Sequence, residues 1–188
     1  MTSILSPRFD HRLVTERITL EPVSLVFSHQ MLEYQIDNRK HLQPWEPLRR
    51  SDFFTLDTMR SRARAMADSM ASGDALHWLM CEGDTVIGEC NFTNIVRGPF
   101  LACHLGYSID HRREGKGLMR EALAASIEYV FEREGLHRIM ASYRPENTRS
   151  ERLLKSLGFE REGYSRAYLK INGAWADHVL TALINPAV

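Results

Sequence analysis

Two glycines one residue apart, Gly115 and Gly117, constrain this chain more than any other feature. They lie in the run Arg-Arg-Glu-Gly-Lys-Gly-Leu at positions 112–118, after a strand-like segment (101–109) and at the start of a long helical one (116–134). A further strand-like segment follows at 137–143. Strand, helix and strand at this length read as a right-handed βαβ crossover with parallel strands. Glycines let the backbone turn tightly and approach a ligand without a Cβ in the way. The amides of such a turn and of the first helical turn lack internal partners, and the helix dipole favours an anion there. Arg112, Arg113 and Lys116 add positive charge. The turn either holds a phosphate-bearing ligand or is only a turn. The dinucleotide fingerprint is excluded because Leu118, Met119 and Arg120 supply no third glycine, and the P-loop spacing is absent.

The remaining elements follow from periodicity. An arm (1–14) precedes a strand at 17–22. Ser24 is a cap for a helix carrying Phe27, Met31, Leu32 and Ile36 on one stripe. A second helix spans 57–72, with Met59, Ala63, Met66 and Met70 in phase and Arg60, Arg62 and Arg64 expected on a solvated face. Strands at 76–81 and 85–92 form an antiparallel hairpin. A short helix at 150–157 ends at Gly158, and a long hairpin turns at Asn172-Gly173. Trp175, Val179 and Leu183 fall on one side of the last strand. The expected fold class is α/β: a mixed central sheet with helices on both faces, in one domain over 1–188.

With 24 basic and 24 acidic residues the net charge is zero, so a broad nucleic-acid surface is not indicated. Cys81, Cys90 and Cys103 are odd in number and lie in apolar segments. Reduced, buried thiols in a cytoplasmic protein are expected, and no C-x-x-C pair suggests a metal. Neither a signal peptide nor a membrane-length apolar run is legible.

The pattern R-x-x-G-x-G between strand and helix resembles the pyrophosphate loop of the GNAT acetyltransferases. Asn147, Ser150 and Leu153 with the Leu157-Gly158-Phe159 ending resemble a second block of that family. The Pro44-Trp45-Glu46-Pro47 loop, the run 91–98, the run 137–141 and the end from Gly163 resemble the RimJ/RimL branch, most closely its ribosomal-protein-alanine N-acetyltransferases. The resemblance implies a GNAT fold and acetyl-CoA as co-substrate, without a metal. It implies cofactor contacts from Leu105, Gly106 and Tyr107, from Arg112, Arg113, Glu114, Gly115, Lys116, Gly117, Leu118 and Met119, and from Asn147 and Ser150. It also implies acetylation of an N-terminal α-amine, alanine on a ribosomal protein. One departure stands out: many family members carry Tyr seven residues after the Asn, and here that position is Leu154. Ser150 is the nearest hydroxyl; it either donates a proton to the leaving thiolate or caps its helix.

The chemistry is undemanding for such a substrate. An α-amine has a pKa of about 7.7–8.0 and a lysine about 10.4, so roughly a tenth of α-amines are already neutral at pH 7. Proximity supplies much of the barrier reduction. A backbone amide near Leu105-Gly106-Tyr107 is placed to polarise the thioester carbonyl. The candidate bases are Glu46, then Tyr107 or Tyr143, with Glu89 weaker. Trp45 and Glu46, stiffened by two prolines, suit the lip of a substrate site, although Trp45 equally suits a plug between helices. His104 is expected to be a satisfied, half-buried histidine. The competing functions are acetylation of a small amine and a non-catalytic acyl-CoA-binding or ribosome-associated module. Oligomeric state is not legible.

Overall fold

The computed structural model describes residues 12–188. Eight strands form one sheet: β1 (Leu13–Val14), β2 (Thr19–Pro22), β3 (Leu76–Glu82), β4 (Thr85–Val96), β5 (Ala102–Ile109), β6 (Arg138–Tyr143), β7 (Glu160–Ile171) and β8 (Ala174–Ile184). Their spatial order is β1-β2-β3-β4-β5-β6-β8-β7. Every neighbouring pair is antiparallel except β5 and β6, the predicted parallel pair. The helices are α1 (Ser28–Asp37), α2 (Arg39–Leu42), α3 (Leu56–Ser72), α4 (Leu118–Glu132) and α5 (Thr148–Ser156).

Both faces of the sheet are covered. Strand β3 is buried from Leu76 through Cys81, as its unbroken apolar run requires. Leu76, Trp78 and Met80 join a core with Leu118, Ala122, Leu123 and Val130 of α4 and Leu154 of α5. Leu79 and Cys81 join a second core with Met31 and Tyr34 of α1 and Met59, Ala63 and Met66 of α3. Gly88 is needed between them because a Cβ there would lie 2.6 Å from the Ser108 carbonyl oxygen.

Several boundaries differ from expectation, each for a local reason. Leu13–Val14 of the expected arm pair with β2, while residues 1–11 lie outside the described residues. Ser24 precedes a 3-10 turn and makes no capping bond. Helix α3 begins at Leu56 because the Thr55 hydroxyl accepts from the Thr58 amide. Strand β4 runs four residues beyond the predicted 92, through an irregularity where Asn94 has φ 52. Helix α4 starts at Leu118, since Gly117 at φ 78 is left-handed and cannot be helical. The Asn172-Gly173 turn forms as predicted, with both residues at positive φ. Trp175 stays 65% exposed, so it is not part of the core with Val179.

Candidate active site

The site begins where the parallel pair opens. Pairing of β5 with β6 runs from Ala102↔Arg138 to Leu105↔Ala141 and stops, although β5 continues to Ile109 and β6 to Tyr143. Beyond Leu105 the two strands part. Alternate backbone groups of β5 from Gly106 onward therefore face an opening instead of a neighbour. Gly106 is exposed there. The opening lies at the carboxyl ends of the parallel strands, the usual place for a ligand in such a sheet.

The glycine loop stands at one side of this opening. Gly115 has φ 72 and Gly117 has φ 78. A Cβ on Gly115 would meet nothing within 4 Å, so conformation and not crowding selects glycine. Gly117 is the N-cap of α4 and supplies no side-chain capping bond, leaving the first amides of that helix for an anion. Leu118 and Met119 are buried and anchor the helix start in the core.

The charge expected from the loop arginines is largely neutralised. Arg112 donates to both oxygens of Asp110 (Nη2 to Oδ2, 2.7 Å) and to Asp37 at 3.0 Å. Burial would raise Asp110, but the Arg112 hydrogen bonds and charge hold it below the usual carboxylate range. Arg113 pairs with Glu82 at 2.8 Å. Arg17 donates to the Lys116 carbonyl (2.8 Å) and pairs with Glu121, bracing the loop from the turn between β1 and β2. The Lys116 side chain is exposed. Glu114 pairs with His41 at 3.2 Å and with Arg149.

On the other side of the opening, Asn147 caps α5 by accepting the Ser150 amide at 3.1 Å. The capping role considered for Ser150 is thus taken by Asn147, and α5 starts at Thr148 instead of 150. The Ser150 hydroxyl lies 2.6 Å from the Tyr107 hydroxyl. Burial pushes the Tyr107 phenol up to about 12, against the opposing effect of the Ser150 bond. A phenol so raised is a proton donor at neutral pH, not a base. Tyr143 is buried on the same face, and burial raises it too. Leu154 is a core residue, 1% exposed.

Trp45 and Glu46 lie on a loop tied to both flanking elements. Arg144 donates to the Pro44 carbonyl at 2.7 Å, with its guanidinium 5.7 Å from the centre of the Trp45 ring. The Asn172 amide donates to the Glu46 carbonyl at 2.9 Å, and Gln43 donates to the Asn172 side chain. Trp45 is 37% exposed, so it is not a plug between helices. Glu46 and Gln35 line a cavity of about 70 Å³. Burial, and then the charge of Glu89, raise the Glu46 carboxyl; Arg49 and Arg62 oppose them.

Glu89 is fully enclosed. Arg62 grips both its oxygens at 3.0 and 2.6 Å, and Gln35 and Asn91 donate to it. Burial alone would raise this carboxyl; the Arg62 charge and hydrogen bonds hold it below its ordinary value. Glu89 is therefore a fixed anion and not the weak base considered for it. Arg62 departs from the solvated face predicted for it. Its position between Met59 and Met66 on the buried stripe was the available signal. His104 is half-buried as expected, but its Nδ1 meets no hydrogen-bond partner among the described residues. The three cysteines are free and buried, as predicted.

Comparison with known proteins fits this geometry. Residues 17–160 match the acetyltransferase (GNAT) domain model. The chain is 44% identical over 177 residues to the [ribosomal protein uS5]-alanine N-acetyltransferase of Escherichia coli, covering 93% of this chain and 91% of that protein. A ribosomal-protein-S5-alanine acetyltransferase from Vibrio fischeri superposes with a TM-score of 0.90 at 37% identity, covering 94% of this chain and 98% of that one. Mycobacterium smegmatis RimJ, solved with CoA-disulfide, superposes with a TM-score of 0.91 at 26% identity over 98% of this chain and 92% of that one. On these grounds the chain belongs to the GNAT family of acetyltransferases.

Proposed function

We propose that this protein, as a single N-acetyltransferase domain over 1–188, transfers acetyl from acetyl-CoA to the N-terminal α-amine of a ribosomal protein, with alanine as the first residue. The observation that carries this is the parting of β5 and β6 beside an uncapped helix N-terminus, with paired hydroxyls at the opening. An anionic, extended co-substrate fits these donors. The phosphates would be held by the backbone of Arg112, Arg113, Glu114, Gly115, Lys116 and Gly117 and the first amides of α4, Leu118 and Met119. The edge that opens after Leu105, at Gly106 and Tyr107, and the side chains of Asn147 and Ser150 would hold the arm. When bound, acetyl-CoA supplies an activated acetyl group.

The chain's own residues do the rest. Ser150 Oγ holds a proton for the leaving thiolate, and Tyr107 Oη, protonated at neutral pH, stands ready to replace it. An amide on the open edge of β5 stabilises developing negative charge on the carbonyl oxygen. Glu46, its carboxyl raised by burial above its ordinary value, takes up the amine proton directly or through water. Trp45 shapes the lip. An α-amine that is partly neutral at pH 7 demands little of this base.

The target preference follows the relatives, whose named substrate is a ribosomal protein. Among the described residues no helix is long and apolar enough to cross a membrane. A cytoplasmic enzyme without direct nucleic-acid or membrane binding is the setting we propose. The test is coenzyme A release with short peptides differing at residue one, beside Nα-blocked lysine peptides and polyamines. Turnover confined to free N-termini, strongest with alanine, is expected. Turnover with polyamines alone would overturn the α-amine assignment, and no turnover with any amine would overturn catalysis.

A further inference from the structure

Three arginines beside the loop at the opening already have partners. Arg112 is held by Asp110 and Asp37, Arg113 by Glu82 and Arg17 by Glu121. Arg149 is arranged differently. It stands in the first turn of α5, and its side chain is 71% exposed. Its partner Glu114 lies inside the glycine loop and has a second contact, His41 Nε2 at 3.2 Å. Glu114 belongs to the segment that follows β5, and Arg149 to the segment that follows β6. Those are the two strands that part. The Glu114–Arg149 ion pair therefore crosses the mouth of the opening.

We propose that Arg149 is a phosphate-binding residue of the acetyl-CoA site and that Glu114 is its exchangeable counter-ion. The pair holds the guanidinium at the mouth until a phosphate replaces the carboxylate. This rests on the function proposed above, because it requires a phosphate-bearing co-substrate. An ion pair as exposed as this one contributes little to stability, so breaking it costs little. A phosphate can take two parallel N–H bonds from one guanidinium and forms among the stronger charge-assisted contacts. Glu114 keeps His41 when Arg149 leaves. Arg112 and Arg113 have no such easy exchange, because Asp110, which lies beside both, is only 2% exposed, and Arg17 is also tied to the Lys116 carbonyl.

The test is equilibrium binding of coenzyme A, 3′-dephospho-coenzyme A and pantetheine to the wild-type chain, Arg149→Gln and Glu114→Gln. Arg149→Gln should weaken coenzyme A about tenfold and leave pantetheine unchanged. Glu114→Gln, which frees the guanidinium and removes a negative charge, should tighten coenzyme A. A loss confined to coenzyme A assigns Arg149 to the 3′-phosphate; an equal loss with the dephospho form assigns it to the pyrophosphate. Unchanged coenzyme A affinity in Arg149→Gln, or an equal loss with pantetheine, overturns the proposal. A wild-type chain that binds none of the three overturns the proposed function itself, and this inference with it.

Discussion

The hydroxyls of Tyr107 and Ser150 lie 2.6 Å apart across the opening between β5 and α5. Among the described residues neither is bound to a carboxylate or a histidine, and the Asn147 cap leaves the serine hydroxyl free of the helix end. The pair is thus a two-proton store beside the proposed thioester position. Ser150→Ala should lower kcat about 100-fold, within the range of a lost general acid, with little change in the KM for acetyl-CoA. Tyr107→Phe should lower it less, because Ser150 keeps its own proton. Steady-state kinetics of both variants checks this; equal kcat for wild type and Ser150→Ala would remove Ser150 as the acid.

Gly115 and Gly117 predict a separation of folding from binding. Gly115→Asp places a side chain where nothing lies within 4 Å, at φ 72. The left-handed backbone should cost about 1–2 kcal/mol, which a domain of this size survives. The added carboxylate faces the proposed phosphates and should abolish coenzyme A binding. A thermal melt beside a binding titration reads both numbers. A variant that is folded and binds normally would sink the loop assignment.

The local parts of this design were legible and the long-range parts were not. Gly115, Gly117 and the Asn172-Gly173 turn declare themselves because positive φ is a single-residue property. The parallel pair followed from the length of the segment between β5 and β6. The positive charge expected at Arg112 is offset by Asp110, two residues before it and legible as a neighbour, and by Asp37, which is 75 residues away in sequence and was not. The Tyr107–Ser150 contact spans 43 positions and the Arg62–Glu89 contact 27. No periodicity encodes either partner. Leu154, read as a departure from a family acid, proves to be the residue that closes the core under α5.

The Arg62–Glu89 pair gives a stability prediction with a defined sign. Breaking a buried pair by removing one partner costs about 3–5 kcal/mol, so Arg62→Met should destabilise the fold by that order at pH 7. Glu89 has its folded pKa below the unfolded one. Its contribution is present above the unfolded value of about 4.3 and is lost as pH falls through the folded value. Denaturant melts of wild type should therefore weaken on acidification below that unfolded value. In Arg62→Met that acid-dependent loss should shrink, because the charge that depressed Glu89 is gone. Parallel acid dependence in the two proteins would contradict the assignment.

Glu46 carries the opposite sign. Burial and Glu89 raise its folded pKa above the unfolded one. Its contribution to stability is fully present below about 4.3 and is lost as pH rises through the folded value, where the fold must hold an awkward carboxylate. Glu46→Gln removes that ionisation. The variant should be more stable than wild type at pH 8 and indistinguishable from it at pH 4. Its turnover should fall while its coenzyme A affinity stays unchanged, because Glu46 lies on the loop tied to Asn172 and not on the glycine loop. The acid limb of the wild-type kcat/KM profile should also disappear in the variant if Glu46 takes the proton. A variant that gains stability and keeps the wild-type rate at every pH would leave Glu46 as an ordinary strained carboxylate and would move the base to solvent.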